Sequence, residues 1–178
     1  VDGGLLIVNE GAFTKGNLKK AGYEQNPLDD ETLAAYRLVK LDISKHTLAA
    51  VAAFDLGTKE ALRSKNMWTL GLVLWLFGRD TKNTEEWLGQ KFAKKEVVRD
   101  SNIAALKAGH AYGETAEMPT GVHIYKVPKA TLSPGTYRNV TGNEALAWGL
   151  VAASKLSELQ LVLGSYPITP ASTVLHAL

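Results

Sequence analysis

The sequence predicts an α/β fold. Short segments rich in β-branched and aromatic residues, such as LLIVN and YRLVKLDI, are followed by longer segments with helical composition. The order helix, strand, helix recurs near the end of the chain, and this alternation is typical of layered α/β domains. The 46% hydrophobic and 21% charged residues are those of an ordinary globular protein.

Two strands are predicted in the first quarter of the chain. Residues 5–9 follow a pair of glycines and have the continuous apolar pattern of a buried strand. Residues 36–43 form the second strand. The residues between them, 14–32, are polar and rich in turn formers, so they predict a loop.

A helix and a much longer apolar helix follow the second strand. Ser44 is expected to cap the first helix, and Gly57 is expected to close it. Residues 59–77 predict one long helix whose second half is apolar on every side and therefore internal. Lys65 and Asn66 are polar residues in this helix, and we interpret them as marking where it emerges from the core, with contact to a neighbouring loop or subunit as the alternative.

Two further helices complete the first part of the chain. Asn83 or Thr84 is expected to cap a helix that runs to about Lys95. A second helix is predicted over residues 96–112, with Gly113 ending it.

The composition changes over residues 114–139, and we place a domain boundary near residues 118–140. This segment holds three of the six prolines, Pro119, Pro128 and Pro134. It also contains one short strand candidate, VHIYKV, at residues 122–127. Such a composition indicates a linker or an extended crossing segment.

The C-terminal part begins with a capping box, in which Thr141 and Glu144 frame the start of a helix. A strand is predicted at residues 159–166, followed by a Pro-Ile-Thr-Pro turn and another helix. Thr169 has the features of an N-cap, with Pro170 at the first helical position. The alternative is a ligand-binding role, because ligands of open α/β sheets bind beyond the carboxyl ends of strands and beside helix N-termini.

Charge and composition exclude several classes of function. The formal charge of +2 and the lack of a basic stripe argue against nucleic-acid binding. The absence of cysteine excludes disulfides, thiolate-bound zinc and an iron–sulfur cluster held by these residues. The longest apolar run, residues 67–78, has twelve residues and is too short to span a bilayer. No signal peptide precedes it, so we expect a cytoplasmic protein.

Other candidate sites are weaker. Ser172 and His176 are four residues apart and would share a helix face, but no positioned acid or oxyanion hole accompanies them. No dinucleotide or P-loop signature occurs. We expect no metal site, because the remaining histidines have no ligand spacing; they are His46, His110 and His123. Since the sequence starts at Val1 and stops within an amphipathic pattern, we expect it to be a segment of a longer polypeptide.

Three stretches give the chain a family resemblance: LRSKNMWTLGLVLWLFGR, NIAALKAGHAYGETAE and GTYRNVTGNEALAWGLVAASKLSELQLVLGSYPITPAS. Together they resemble the α subunit of 2-oxoacid:ferredoxin oxidoreductases in which a γ domain is fused in front of a thiamine-diphosphate-enzyme α domain. The segment GSYPITPAS is most similar to the corresponding segment of 2-oxoglutarate:ferredoxin oxidoreductases.

The resemblance implies that residues 1–118 are the C-terminal half of a Rossmann-like γ domain. Residues 119–140 would be a linker, and residues 141–178 would begin an α domain of the pyrimidine-binding type. The glutamate that contacts the aminopyrimidine ring in this family would lie beyond Leu178, and the glutamates of the present chain do not match it.

The resemblance also implies a site and its chemistry. Thr169 would line the active site near the thiazolium ring and the substrate, and the loop would be shaped by Tyr166, Pro167, Ile168 and Pro170. Thiamine diphosphate with Mg²⁺ and a 4Fe-4S cluster would be held mainly by a β subunit, and none by this segment alone. The further partners would be ferredoxin, CoA and a 2-oxoacid, in an assembly of two α and two β subunits, without nucleic acid or membrane.

The implied reaction is oxidative decarboxylation of 2-oxoglutarate to succinyl-CoA, with the electrons passing to ferredoxin. The isolated segment is expected to be inactive. Two alternatives stay open: a non-catalytic γ-type assembly or docking module, and the same enzyme class acting on pyruvate or branched-chain 2-oxoacids.

Overall fold

A computed structural model describes residues 3–115, 124–128, 130–166 and 168–178. The chain divides into two compact units, Val1–Lys129 and Ala130–Leu178. The division falls inside the segment predicted as a linker. That the units are a γ and an α domain stays a prediction.

The first unit contains a small parallel sheet. Strand β1 (Leu5–Asn9) pairs with strand β2 (Arg37–Leu41) along their whole length. Parallel strands need a crossover connection, and helices pack on them, so the fold is α/β as the sequence predicted. The more specific Rossmann-like assignment stays a prediction.

The two faces of β1 have different surroundings. Leu5 and Ile7 pack against the hydrophobic core, whereas Leu6 and Val8 line an open apolar cavity of about 440 Å³. The strand is therefore half-buried, and the prediction of a buried strand was wrong on this point. A continuous apolar run does not reveal how well each face is covered.

A short helix, α1 (Lys15–Lys20), lies in the segment predicted as a loop. The side chain of Thr14 caps it by accepting a hydrogen bond from the backbone N–H of Asn17 at 3.3 Å. At six residues the helix is too short to show an amphipathic period, so periodicity could not detect it.

Helix α2 (Ile43–Ala50) begins two residues earlier than predicted, because Asp42 and not Ser44 is its N-cap. The Asp42 carboxylate accepts from the backbone N–H of Lys45 at 3.0 Å. The Ser44 hydroxyl instead accepts from the side-chain amide of Asn9 at 3.1 Å, which ties the end of β1 to the start of α2.

The prediction that Gly57 closes this helix was also wrong. The chain leaves α2 through a 3₁₀ turn (Ala52–Phe54), and Asp55 adopts the left-handed conformation with φ of 45°. Gly57 is extended and precedes helix α3 (Thr58–Ala61) as its N-cap. Aspartate tolerates the left-handed region better than most residues, so glycine was not needed there.

The long helix predicted over residues 59–77 is interrupted. After α3, a 3₁₀ turn (Leu62–Ser64) leads into helix α4 (Lys65–Leu76). Trp68 and Leu72 are fully buried, which confirms the internal character of α4, although several other side chains of the helix are only half-buried. Asn66 is exposed at its start.

The N-cap of helix α5 (Lys82–Lys91) is Thr81, and not Asn83 or Thr84 as predicted. The Thr81 hydroxyl donates to the Glu85 carboxylate at 2.6 Å, and Lys107 forms an ion pair with it at 3.0 Å. The hydrogen bond from Thr81, assisted by Lys107, lowers the pKa of Glu85 below its ordinary value.

Helix α6 (Glu96–Thr115) crosses α4 with backbone against backbone. A Cβ on Gly71 would lie 2.0 Å from the carbonyl oxygen of Leu106, and one on Gly109 would lie 1.8 Å from that of Trp68. These distances exclude any side chain, so glycine is required at both positions for this crossing.

Gly113 continues α6 and does not end it, contrary to the prediction. It is buried, and a Cβ there would lie 2.3 Å from the indole ring of Trp75. Glycine at this position therefore leaves room for the Trp75 ring and does not form a left-handed helix end.

The core of the first unit lies between the sheet and helices α2, α4 and α6. Trp68 is at its centre, where His46 stacks on it with ring centroids 5.4 Å apart and Tyr112 packs at 5.3 Å. The buried members of the core are Val39, Leu41, Ile43, Val51, Ala61, Trp68, Leu72 and Ala105.

Residues 124–128 run along the end of α4. The backbone N–H of Tyr125 donates to the carbonyl of Leu76 at 2.7 Å, and its ring packs on Phe77. These five residues are not in a strand, so this part of the prediction for residues 122–127 was wrong. The other two residues of that candidate lie outside the described part.

The second unit contains helix α7 (Gly142–Ser157) and helix α8 (Ser172–Ala177), which pack on one another. The capping box of Thr141 and Glu144 is present as predicted. Residues 159–166 do not form a strand. A strand needs a neighbour to satisfy its backbone, and the described residues of this unit offer no strand to pair with.

Across the described ranges, none of the helices is long and apolar enough to cross a membrane.

Candidate functional site

The four described residues of the predicted site, Tyr166, Ile168, Thr169 and Pro170, are exposed and precede α8. The backbone N–H of Ile168 donates to the carbonyl of Tyr166 at 2.8 Å. Both side chains face solvent, with Tyr166 75% and Ile168 54% exposed. Pro167 lies outside the described residues.

Thr169 is not the N-cap of α8, and Pro170 is not at the first helical position. Helix α8 begins at Ser172, with Ala171 preceding it in a helical conformation. Thr169 and Pro170 are exposed members of the turn and are joined by a cis peptide bond. The local pattern allowed a cap at Thr169, but the helix begins two residues later than predicted, at Ser172.

An asparagine of α7 holds this turn. The side-chain amide of Asn143 donates to the carbonyl of Pro170 at 3.1 Å and also to the hydroxyl of Thr173. The Thr173 hydroxyl in turn donates to the Pro170 carbonyl at 2.8 Å. The three groups form a closed set of hydrogen bonds between the start of α7 and the turn.

The start of α7 is itself held by its capping box. The backbone N–H of Thr141 donates to the Glu144 carboxylate at 2.8 Å, and the hydroxyl of Thr141 donates to it at 2.9 Å. These bonds, the backbone one first, lower the pKa of Glu144 below its ordinary value. The turn is thus attached to a defined helix end.

Those of the other predicted candidates that the structure describes do not come together into a site, and His123 lies outside the described residues. The Ser172 hydroxyl lies 3.5 Å from the carbonyl of Ile168, and among the described hydrogen bonds none joins it to His176. His46 packs on aromatic rings, and His110 lies between the carbonyl of Arg79 and the carboxylate of Glu114. In the described part of the chain, no group of three or more acidic or histidine side chains could hold a metal ion.

The turn fits a contact with a cofactor or substrate but not the task of holding thiamine diphosphate. Its five residues, YPITP, include no charged side chain that could neutralise a diphosphate or bind Mg²⁺. What it offers is the hydroxyl of Thr169 and the phenol of Tyr166, both in exposed residues. Both groups can donate and accept hydrogen bonds.

Asn143 and Thr173 were missed by the sequence analysis. Residues 141–144 were interpreted only as a capping box, which accounts for Thr141 and Glu144 and leaves Asn143 without a role. Its partners are 27 and 30 residues away along the chain. No local sequence pattern indicates a hydrogen bond between residues so far apart in the sequence.

The chain is similar to two curated proteins. It is 48% identical, over 176 residues, to the 2-oxoglutarate oxidoreductase subunit KorA of Mycobacterium tuberculosis, a match that covers 99% of this chain and 27% of the relative. It is 31% identical, over 118 residues, to subunit alpha of 2-oxoacid:ferredoxin oxidoreductase 2 of Aeropyrum pernix, covering 65% of this chain and 17% of the relative. The chain thus spans about a quarter or less of these relatives.

No solved structure matches the chain significantly. The sequence model for the family described as pyruvate ferredoxin/flavodoxin oxidoreductase matches residues 1–112, which is more than half of the chain and lies within the first unit. The chain therefore belongs to the pyruvate ferredoxin/flavodoxin oxidoreductase family.

Proposed function

We propose that the chain is part of the α subunit of a cytoplasmic 2-oxoglutarate:ferredoxin oxidoreductase. The reaction removes the carboxyl group bonded to the keto carbon of 2-oxoglutarate as CO₂. It transfers the remaining acyl group to CoA and passes a pair of electrons to ferredoxin. One observation supports this above the others: the 48% identity to a 2-oxoglutarate oxidoreductase subunit extends over 99% of the chain.

In this proposal, the second unit contributes to the reaction through the turn that carries Thr169. Thr169 stands on an exposed turn whose backbone is fixed by hydrogen bonds. A fixed hydroxyl donor aimed at a carboxylate or carbonyl oxygen stabilises the charge that develops during reaction, because it needs no reorganisation at that moment. We assign that role to Thr169, with Tyr166, Ile168, Pro170 and the undescribed Pro167 shaping the loop.

The chemistry itself needs a cofactor. Thiamine diphosphate, when bound, supplies an electron sink for decarboxylation. Because the turn carries no charge, we assign the diphosphate and Mg²⁺ to a partner β subunit. The 178 residues contain no cysteine, so the thiolates of a 4Fe-4S cluster must also come from outside this segment. We propose an assembly of two α and two β subunits, with ferredoxin as its electron acceptor.

The substrate assignment is tested on the complete enzyme by measuring ferredoxin reduction with 2-oxoglutarate and pyruvate side by side, each with CoA. We expect a higher kcat/KM for 2-oxoglutarate. A preference for pyruvate or for a branched-chain 2-oxoacid would reassign the substrate within the same enzyme class. No ferredoxin reduction with any 2-oxoacid would overturn the enzymatic proposal and favour an assembly module.

The role of the turn is tested by Thr169→Ala in the complete enzyme. Removing one donor to a charge that develops in the transition state is expected to lower kcat about 10-fold to 1000-fold. Thr136→Ala is the matched control, since Thr136 is an exposed threonine of the same unit outside the turn. Wild-type kinetics for Thr169→Ala would show that the turn has only a structural role.

A further inference from the structure

We propose that Asn143 is a positioning residue, which fixes the turn that carries Thr169 relative to helix α7. The inference rests on the proposed function for its catalytic consequence, because Thr169 must contact substrate or cofactor for its position to matter. That Asn143 fixes the turn relative to α7 is inferred from the hydrogen bonds alone.

The Asn143 side-chain amide donates to two oxygens. It donates to the Pro170 carbonyl at 3.1 Å and to the hydroxyl of Thr173. That hydroxyl gives its own hydrogen to the same carbonyl at 2.8 Å, and the Thr173 backbone N–H approaches it at 3.2 Å. Every donor in the set has an acceptor, and the Pro170 carbonyl accepts from three of them: the Asn143 amide, the Thr173 hydroxyl and the Thr173 backbone N–H.

Because of the position of Asn143 in α7, these hydrogen bonds anchor the turn, that is, they fix it relative to the start of the helix. It is the second residue of α7, directly between Gly142 and the Glu144 of the capping box. Its backbone is therefore fixed by the first turn of a sixteen-residue helix. Since Pro170 directly follows Thr169, holding the Pro170 carbonyl also limits where the Thr169 side chain can be.

Among the described residues of the turn, the remaining hydrogen bonds are local. The N–H of Ile168 reaches Tyr166, and the N–H of Ser172 reaches Ile168. Such bonds set the shape of the turn but not its place on the unit. The side chain of Asn143 contributes a link that crosses 27 residues of sequence. A catalytic donor must be held within a fraction of an ångström, so a link of this kind has kinetic consequences.

The first test measures the turn directly, by amide hydrogen exchange of Ser172 and Thr173 in the complete enzyme carrying Asn143→Asp. Aspartate keeps the size of the side chain and suits a helix N-terminus, so α7 is expected to stay formed. It lacks the N–H donors, so we expect exchange at both amides to become about 10-fold faster. Asn143→Gln retains the amide donor and should recover part of the protection. Unchanged exchange in Asn143→Asp would overturn the inference, whatever the enzyme does.

The second test is kinetic and uses a double-mutant comparison. We expect Asn143→Asp to lower kcat with the 2-oxoacid about 10-fold and to leave the KM for CoA unchanged. Added to Thr169→Ala, it should cause little further loss, because both changes remove the same contact. Ser154→Ala is the control on the same helix, since the Ser154 hydroxyl donates to Leu159 and not to the turn.

The outcomes separate the two proposals. A slow Thr169→Ala enzyme with a normal Asn143→Asp enzyme would overturn the positioning role and leave the proposed function intact. Normal kinetics for Thr169→Ala would count against the proposed function of the turn, while faster exchange in Asn143→Asp would still support the anchor. Losses that simply multiply in the double variant would show that Asn143 acts independently of Thr169, and would overturn the inference.

Discussion

The two units of the chain are stabilised in different ways. Among the described residues, every fully buried apolar side chain except Ala147 belongs to Val1–Lys129. The second unit exposes most of its large apolar side chains, with Leu156 88% and Val162 83% exposed. Besides the packing of α7 on α8, it has hydrogen bonds at the start of α7 and around the turn.

The difference determines how each unit responds to substitution. Burying a large apolar side chain contributes about 1.5–3 kcal/mol, whereas a hydrogen bond contributes about 0.5–1.5 kcal/mol net. Changes in the core of the first unit should therefore have large and cooperative effects. Changes in the second unit should be smaller and confined to the helix end or turn in which they are made.

The largest effect on stability is expected at the crossing of α4 and α6. Gly109→Ala forces a methyl group into the backbone of Trp68, so the helices must separate, at a cost of about 1–3 kcal/mol or more. Hydrogen exchange of the α4 and α6 amides in the full-length subunit would show the loss of protection.

The control for this variant is Gly89→Ala in α5, where a Cβ would meet nothing within 4 Å. Alanine is the better helix former, so we expect a gain of about 0.5–1 kcal/mol. Equal effects of the two substitutions would contradict the close crossing.

A smaller effect is expected in the second unit from Thr141→Ala. It removes the hydroxyl that caps α7, and a lost N-cap costs about 1 kcal/mol. Exchange should increase in the first turn of α7, while the α4 and α6 amides should keep their protection. Loss of protection throughout Val1–Lys129 would show that the two units are not stabilised separately.

The smallest effect is a dependence on pH in the same capping box. The pKa of Glu144 is lowered by the hydrogen bonds from Thr141, so the folded state favours the carboxylate. Its contribution is complete above the ordinary pKa of an unfolded glutamate and is lost as the pH falls through the lowered, folded value. Protection factors in the first turn of α7 should decrease over that acidic range.

Glu144→Gln provides the control, because glutamine can still accept from Thr141 but does not titrate. The decrease in protection with falling pH should be absent in this variant. The same pH dependence in Glu144→Gln would assign it to another group.

The sequence predicted the features that depend on neighbouring residues. The capping box of Thr141 and Glu144 and the internal character of α4 were correct, because spacing and composition determine both. The α/β class was correct for the same reason. The predictions of helix ends were less accurate. Asp42 rather than Ser44 is the N-cap of α2. Both residue types are good caps, and Asp42 is the one that directly follows the end of β2 at Leu41.

Features that depend on distant residues were missed. Gly113 was interpreted as a helix end, but its role is to leave room for Trp75, on another helix. Residues 159–166 have the composition of a strand but no described strand beside them. The turn at Thr169 was found by its unusual pair of prolines, whereas its anchor, Asn143, lies 27 residues before Pro170 and has no signature of its own.

The crossing at Gly71 and Gly109 also has a mechanical consequence. Packed helices can slide past one another by small displacements. At Gly71 and Gly109 the backbones of α4 and α6 approach without side chains between them. Since a sliding movement would bring each glycine's neighbours against the facing backbone, we expect α4 and α6 to move as one rigid body.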